Sequence, residues 1–144
     1  MLPIAALGAT HMSLRLREFG HKSLALRSLV GGTIGGKKIE MVQADVQNKA
    51  DVAATIAGRW FDTEQVDVIL GAGASSSSIA TSRVAADKKR IYIAPDPASS
   101  DITGKLCNAY TVHWVYDTFA LANGTGSAVV KAGGDSWFFI TADY

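Results

Sequence analysis

The sequence predicts an α/β domain: a parallel sheet with helices on both faces, a Rossmann-like three-layer sandwich. Two observations carry this. Strand-like and helix-like stretches alternate regularly from residue 36 onward, and the helical stretches have the length of crossovers between parallel strands. The run Val66-Asp67-Val68-Ile69-Leu70 is β-branched and nearly continuous, as in a strand covered on both faces. Size and composition are compatible with one such domain. The chain has 144 residues, 48% of them hydrophobic and 14 of them glycine. A domain of this length buries about 68–70% of the surface its unfolded chain exposes, enough for a real core.

Taken in order, Ile39-Glu40-Met41-Val42-Gln43-Ala44 alternates and reads as a strand. Residues 45–50 are polar and suit a turn and a helix start. Val52, Ala53, Ile56, Ala57, Trp60 and Phe61 recur at three- and four-residue spacing, giving a helix over 51–61 with one buried face. Residues 66–70 are the next strand, broken by Gly71-Ala72-Gly73-Ala74. A second helix spans 75–89, with four serines at its start and Lys88, Lys89 and Arg90 at its end, the charge order that suits the helix dipole. One of those serines is expected to act as N-cap. Ile91-Tyr92-Ile93-Ala94 is a short strand stopped by Pro95 and Pro97, residues 98–109 are irregular, and 110–114 is strand-like. Phe119, Ala122, Gly126, Val129 and Val130 mark a third helical face, which Gly133-Gly134 ends, and residues 136–140 read as a final apolar strand with no covering helix after it. The first ten residues read either as a weak secretory signal without the usual positive start or as an ordinary strand. Residues 13–30, with Arg15, Arg17, Lys22 and Arg27 among leucines, suit a helix broken near Gly20, either a transit or membrane-surface segment or a poorly matched first βα unit.

Several function classes are excluded by the same inventory. Fourteen basic against thirteen acidic side chains give a net charge of +1, with no basic stripe for phosphate backbones. No run approaches the roughly 18 apolar residues of a membrane span. Cys107 is the only cysteine, which removes disulfide frameworks and cysteine-rich zinc sites and fits cytosol or periplasm equally well. His11, His21 and His113 have no metal-ligand spacing, and no G-x-S-x-G elbow surrounds the serines.

In an open parallel sheet, ligands bind outside the carboxyl ends of the strands. The loops at 71–78, 94–103 and 114–118 leave such ends, and all are rich in small hydroxyl residues. Ser75 to Ser78 stand at a helix N-terminus, where free amides and the dipole favour an anion. Gly71-Ala72-Gly73 with Asp96 offers a nucleotide reading, but Ser76 stands where its third glycine belongs, and the glycines serve equally to turn the backbone. Asp117 opens a helix, where its plain role is N-cap.

Gly31-Gly32-Thr33-Ile34-Gly35-Gly36-Lys37-Lys38-Ile39-Glu40, Asp45-x-Gln47-Asn48-Lys49-Ala50-Asp51, residues 71–78, Ala98-Ser99-Ser100-Asp101-Ile102-Thr103-Gly104, Tyr116-Asp117-Thr118 and the closing Trp137-Phe138-Phe139-Ile140-Thr141-Ala142-Asp143-Tyr144 together resemble the periplasmic leucine/isoleucine/valine-type solute-binding proteins of ABC transporters. The resemblance covers residues 31–144. It implies a two-lobed receptor of the type I periplasmic-binding-protein fold, of which residues 31–144 are a partial N-terminal ligand-binding lobe and residues 1–30 an atypical segment, a frameshifted start or the remnant of a signal or first βα unit. It implies a periplasmic, non-enzymatic protein that binds an amino acid or similar small carboxylate for an ABC permease, with no cofactor and no metal. Ser75 aligns with the serine that holds the ligand carboxylate, Ser99 with a hydroxyl residue at the same end, Pro97 with a carbonyl that accepts from the ammonium, and Asp117 with an aspartate lining the cleft, while Ala98 lies between Pro97 and Ser99. The stretch His113-Trp114-x-Tyr116-Asp117 is similar to a branch linked to aromatic or other apolar organic acids. No first strand is recognisable in residues 1–30, and the second lobe is absent, so the uncovered final strand implies self-association. The other readings are a Rossmann-type nucleotide-binding enzyme domain and a ligand-sensing regulator built on the same lobe.

Overall fold

The computed structural model describes residues 2–8, 33–34 and 37–140. Six strands form one sheet: β1 (Leu2–Gly8), β2 (Thr33–Ile34), β3 (Lys37–Asp45), β4 (Val68–Leu70), β5 (Ile91–Ala94) and β6 (Thr111–His113), in the spatial order β2-β3-β1-β4-β5-β6. All neighbouring pairs are parallel except β2 with β3, where Thr33 faces Lys38. β1 lies inside the sheet, with Leu2 opposite Ile39 on one side and Ile4 opposite Val68 on the other. Residues 2–8 therefore form a first strand that the sequence pattern of residues 1–30 does not make recognisable. A short, uncharged apolar run can be paired on both edges and needs no alternating polar face. The helix expected over 13–30 lies outside the described residues.

Two helices build the core against this sheet. α1 (Ala50–Asp62) buries Ala53, Ala57, Trp60 and Phe61, the stripe that its spacing predicts. α2 (Ser75–Asp87) packs beside α1. Trp60, Phe61, Val66, Ile69, Ala85, Tyr92 and Ala94 close one continuous apolar cluster between them and the strands. The entry to α1 is shaped by Asp45, whose Oδ1 accepts from Gln47 N at 2.8 Å while Gln47 and Asn48 take positive φ. At the far end, Lys88 Nζ meets Asp62 Oδ2 at 2.7 Å and Arg90 meets Asp67 at 3.4 Å. These basic residues therefore tie α2 to the end of α1 and the approach to β4. As half-exposed pairs each contributes at most about 1 kcal/mol.

After β5 the chain makes a 3₁₀ turn (Ser100–Ile102), and after β6 a helical run: α3 (Thr118–Leu121), a π-helical turn (Ala122–Gly126) and α4 (Ser127–Lys131). Gly133 ends the run with φ 96°, and Gly134 N donates to Val129 O at 3.0 Å while Gly133 N donates to Val130 O. These two bonds satisfy carbonyls that the helix end leaves open. A Cβ at Gly134 would come within 2.6 Å of Val129 Cγ1, so any side chain there forces Val129 to shift.

Two expectations fail. Residues 136–140 form no strand, because a strand needs a ladder partner and none of the described strands runs alongside them. Trp137 and Phe139 instead stack at 6.3 Å against the groove of α3 and α4, while Phe138 and Ile140 point outward, 88% and 91% exposed. Nor does any serine cap α2. Its N-cap is Ala74, with no side-chain acceptor.

Trp60 is the largest residue sealed in the core, at 1% exposure. Trp60→Ala should cost about 3–5 kcal/mol, a large share of the stability of a domain this size. Chemical denaturation should show it as a lower midpoint, and a loss under about 1 kcal/mol would mean that this core does not hold the fold.

Candidate functional site

Because β4, β5 and β6 are parallel neighbours, the loops that leave them open at one end of the sheet. Their ladders are extended just past the strands by Gly71 N donating to Ile93 O and Trp114 N donating to Ala94 O. Gly71 and Gly73 take φ of 77° and 69°, a region open to glycine and costly for other residues, which accounts for both by the turn into α2 without a nucleotide.

A cleft of about 370 Å³ lies at this end, lined by Ser75, Ser76, Ile79, Ala98, Ser99 and Thr118. Its size suits a small organic ligand. Three of the five residues expected at the site, Ser75, Ala98 and Ser99, meet here. The other two do not line it. Pro97 is buried and its carbonyl accepts from His113 Nε2 at 2.6 Å. Since a carbonyl only accepts, this bond fixes the proton on Nε2. Asp117 caps α3, its Oδ1 accepting from Ala120 N at 2.7 Å.

Of the other lining residues, Ser76 belongs to the serine run at the helix start and Thr118 to the 114–118 loop, both marked by the sequence, whereas Ile79 is not marked by it. Ile79 follows Ser75 by four residues and so shares its helical face, a signal available in the spacing. Thr118 belongs to the site through the loop it joins: its N–H donates to Ala98 O at 2.7 Å and its Oγ1 to Ser100 Oγ at 3.4 Å. Only the fold shows that placement. Ser99 Oγ accepts from Asp101 N at 3.3 Å, so the 95–103 loop is held from within.

The electrostatics of the cleft are those of neutral donors. With Ala74 as an uncapped N-cap, the first-turn amides of α2 meet no side-chain acceptor, and the first bond back along the helix is Ser78 N to Ala74 O. Those amides and the hydroxyls beside them favour an anion over any cation. Directly behind, Ser77 and Ser78 are fully buried, and neither their hydroxyls nor that of Tyr92 has a protein partner in hydrogen-bonding geometry. Burial pushes the Tyr92 phenol far above its ordinary pKa, the nearby Ser78 hydroxyl draws it partly back, and the Asp96 charge raises it again. Tyr92 is therefore neutral throughout the working pH range. Among the described residues, no group of His, Cys, Asp and Glu is placed to hold a metal ion.

A family model described as periplasmic binding protein matches residues 23–144. No curated protein matches the chain. Among solved structures, a periplasmic binding protein from Burkholderia mallei is similar at 40% identity and a TM-score of 0.85, over 99% of this chain and 39% of that one. The periplasmic ligand-binding protein of a branched-chain amino acid ABC transporter from Burkholderia xenovorans LB400 is similar at 26% identity and a TM-score of 0.84, over 92% of this chain and 36% of that one. A solute-binding protein of an ABC transporter from R. palustris, in complex with benzoate, shares the fold at 24% identity and a TM-score of 0.81, over 92% and 37%. The chain thus spans between a third and two fifths of the length of these structures. The sheet order and the parallel ladders are those of the type I fold, and this chain belongs to the periplasmic binding protein family.

Proposed function

We propose that the chain is the ligand-gripping part of the solute receptor of an ABC transporter, working in the periplasm with a membrane permease, and that it binds a small organic carboxylate without transforming it. The observation that carries this reading is the cleft at the open end of α2: uncapped amides and hydroxyls of Ser75 and Ser76 on one wall, Ala98, Ser99 and Thr118 on the other. Neutral donors at a helix terminus hold a carboxylate without burying a counter-charge, and so allow both capture and release. Ser75 is the principal hydroxyl donor and Ser99 the second. Ala98 shapes the wall between them, Pro97 supports the loop from below, and Asp117 fixes the start of α3 at the rim. Relatives bind different solutes: the B. xenovorans protein is named for branched-chain amino acids and the R. palustris protein holds benzoate. The carboxylate is their shared chemistry, and it is the part assigned to this cleft.

Two tests follow from this reading. Ser75→Ala should weaken carboxylate binding about ten- to a hundredfold, since a hydrogen bond to a charged group is worth roughly 1.5–3 kcal/mol. Ser77→Ala, which removes a buried hydroxyl without a partner, should leave affinity unchanged. Amide-resolved titration of the chain against a carboxylate reads both, and equal affinity for Ser75→Ala and the parent would remove Ser75 from the site.

We also propose that the chain self-associates through residues 137–140, where Phe138, Phe139 and Ile140 are at least 74% exposed. Sedimentation at micromolar concentration should show species larger than a monomer, and Phe138→Ser with Ile140→Ser should shift them toward the monomer. A monomeric parent would sink this part.

A further inference from the structure

We propose that His113 is a positioning residue of the cleft: its Nε2–H, donated to Pro97 O, fixes the loop that carries Ala98 and Ser99 and so sets the wall opposite α2. The effect on a ligand rests on reading the cleft as a carboxylate site. The effect on the loop does not.

The loop after β5 cannot be held as a strand is held. The β5–β6 ladder ends where Ala94 stands opposite His113, with Trp114 N donating to Ala94 O at 2.9 Å. Of the next three residues, Pro95 and Pro97 have no backbone N–H. Two donors are therefore missing where the chain turns toward the cleft, and attachment passes to the loop's carbonyls. The chain leaving β6 supplies their donors. His113 Nε2 meets Pro97 O at 2.6 Å, and Thr118 N meets Ala98 O at 2.7 Å. Any residue but proline offers the backbone N–H at position 118. The bond to Pro97 depends on a side chain of the right reach, and His113 is that side chain.

The strand explains the reach. Side chains alternate across a strand, so His113 shares a face with Thr111. Thr111 Oγ1 is bonded to Ser82 Oγ of α2 at 2.8 Å, which makes this the face that α2 covers. From there the imidazole meets Pro97, which is fully buried and whose carbonyl would lose this donor without the ring. Among the described residues that line the cleft His113 is absent, so it acts through the loop and not on a ligand. Ser99 lies two residues beyond Pro97, and its Oγ accepts from Asp101 N at 3.3 Å. The serine is thus held between two anchors, the His113 bond on one side and the 3₁₀ turn on the other.

The test uses the whole chain, 15N-labelled. A carbonyl only accepts, so the neutral ring carries its proton on Nε2, and the imidazole 15N shifts at pH 8 should show that tautomer. An Nδ1–H ring would overturn the proposal. His113→Phe keeps a flat ring and removes the donor, whereas His113→Gln keeps an amide N–H at similar reach. The reporters are the amides of Thr118 and Asp101, whose acceptors Ala98 O and Ser99 Oγ ride on the loop. We expect His113→Phe to speed their hydrogen exchange at least about tenfold, while the amides of Ala57 and Trp60 in α1 exchange as in the parent. It should also weaken benzoate binding about three- to tenfold, the worth of one hydrogen bond. His113→Gln should restore most of both. If His113→Phe does not fold, His113→Asn, whose amide is too short to reach Pro97, takes its place. Parent-like exchange at Thr118 and Asp101 without the donor, or His113→Gln no better than the donor-free variant, would overturn the positioning role. A parent chain that binds no benzoate would count against the carboxylate reading alone, because the tautomer and the exchange rates still decide the role of His113.

Discussion

The cleft depends on three neighbouring strands running in the same direction. Val68 faces Ile91 and Tyr92 faces Thr111 across parallel ladders, so the chain leaves β4, β5 and β6 at one end and must return along the side. Every described residue that lines the cleft, Ser75, Ser76, Ile79, Ala98, Ser99 and Thr118, follows one of those exits. The helices that return the chain supply the core, and the core in turn fixes the exits: Ile69 and Tyr92 are sealed at 0% exposure against Trp60 and Ala57 of α1. A shift of one strand by one residue would exchange its buried and exposed faces, so the core sets the register as well as the stability.

α2 answers two demands at once, and its composition shows the compromise. Facing the sheet it buries Ser77, Ser78, Thr81 and Ser82 where an ordinary amphipathic helix would bury leucine or valine. Some of these hydroxyls are satisfied: Thr81 Oγ1 donates to Ser77 O, and Ser82 Oγ joins Thr111 Oγ1 and Asn108 Nδ2, both at 2.8 Å, linking α2 to β6. Others are left without protein partners. Small side chains let the helix lie close to the strands, which brings its uncapped N-terminus up to the cleft. Unsatisfied buried hydroxyls cost about 1–3 kcal/mol each, a cost that the larger cluster around Trp60 and Phe61 offsets. The absence of a serine cap follows the same logic. A capping hydroxyl would spend on the helix the very amides that an anion can use.

Elements that follow from side-chain periodicity are the legible ones. The stripe of Ala53, Ala57, Trp60 and Phe61 fixes α1 to within a residue or two, and Ile91–Ala94 is β5 in both the sequence pattern and the fold. β1 is legible only as one of two alternatives, because a strand paired on both edges and a weak signal share the same apolar run. The apolar run at 136–140 looks like a strand and is none, since strand propensity says nothing about whether a ladder partner exists. At the site, Ser75 and Ser99 follow from loop position and resemblance. Ile79 does not stand out, because membership in a cleft is a property of three loops together. Asp117 and Pro97 have local duties in the fold, an N-cap on α3 and a carbonyl that accepts from His113, and neither lines the cleft directly.

The two walls of the cleft are not equally firm. The α2 wall stands on the buried core. The opposite wall begins at Ala98 and Ser99, and beyond β6 no residue from 114 to 140 is buried. α3 is held to the 95–103 loop by polar bonds, Thr118 N to Ala98 O and Thr118 Oγ1 to Ser100 Oγ, and by its Asp117 cap. Segments with few buried apolar contacts occupy the low-stability end of a protein's local unfolding spectrum. The cleft therefore has one wall, on α2, that stands on the buried core and another, at α3, that is tied to the loop before it by polar bonds. Exposed Trp114, Tyr116 and Phe119 stand on that α3 side, which places apolar surface of this lobe where no residue is buried.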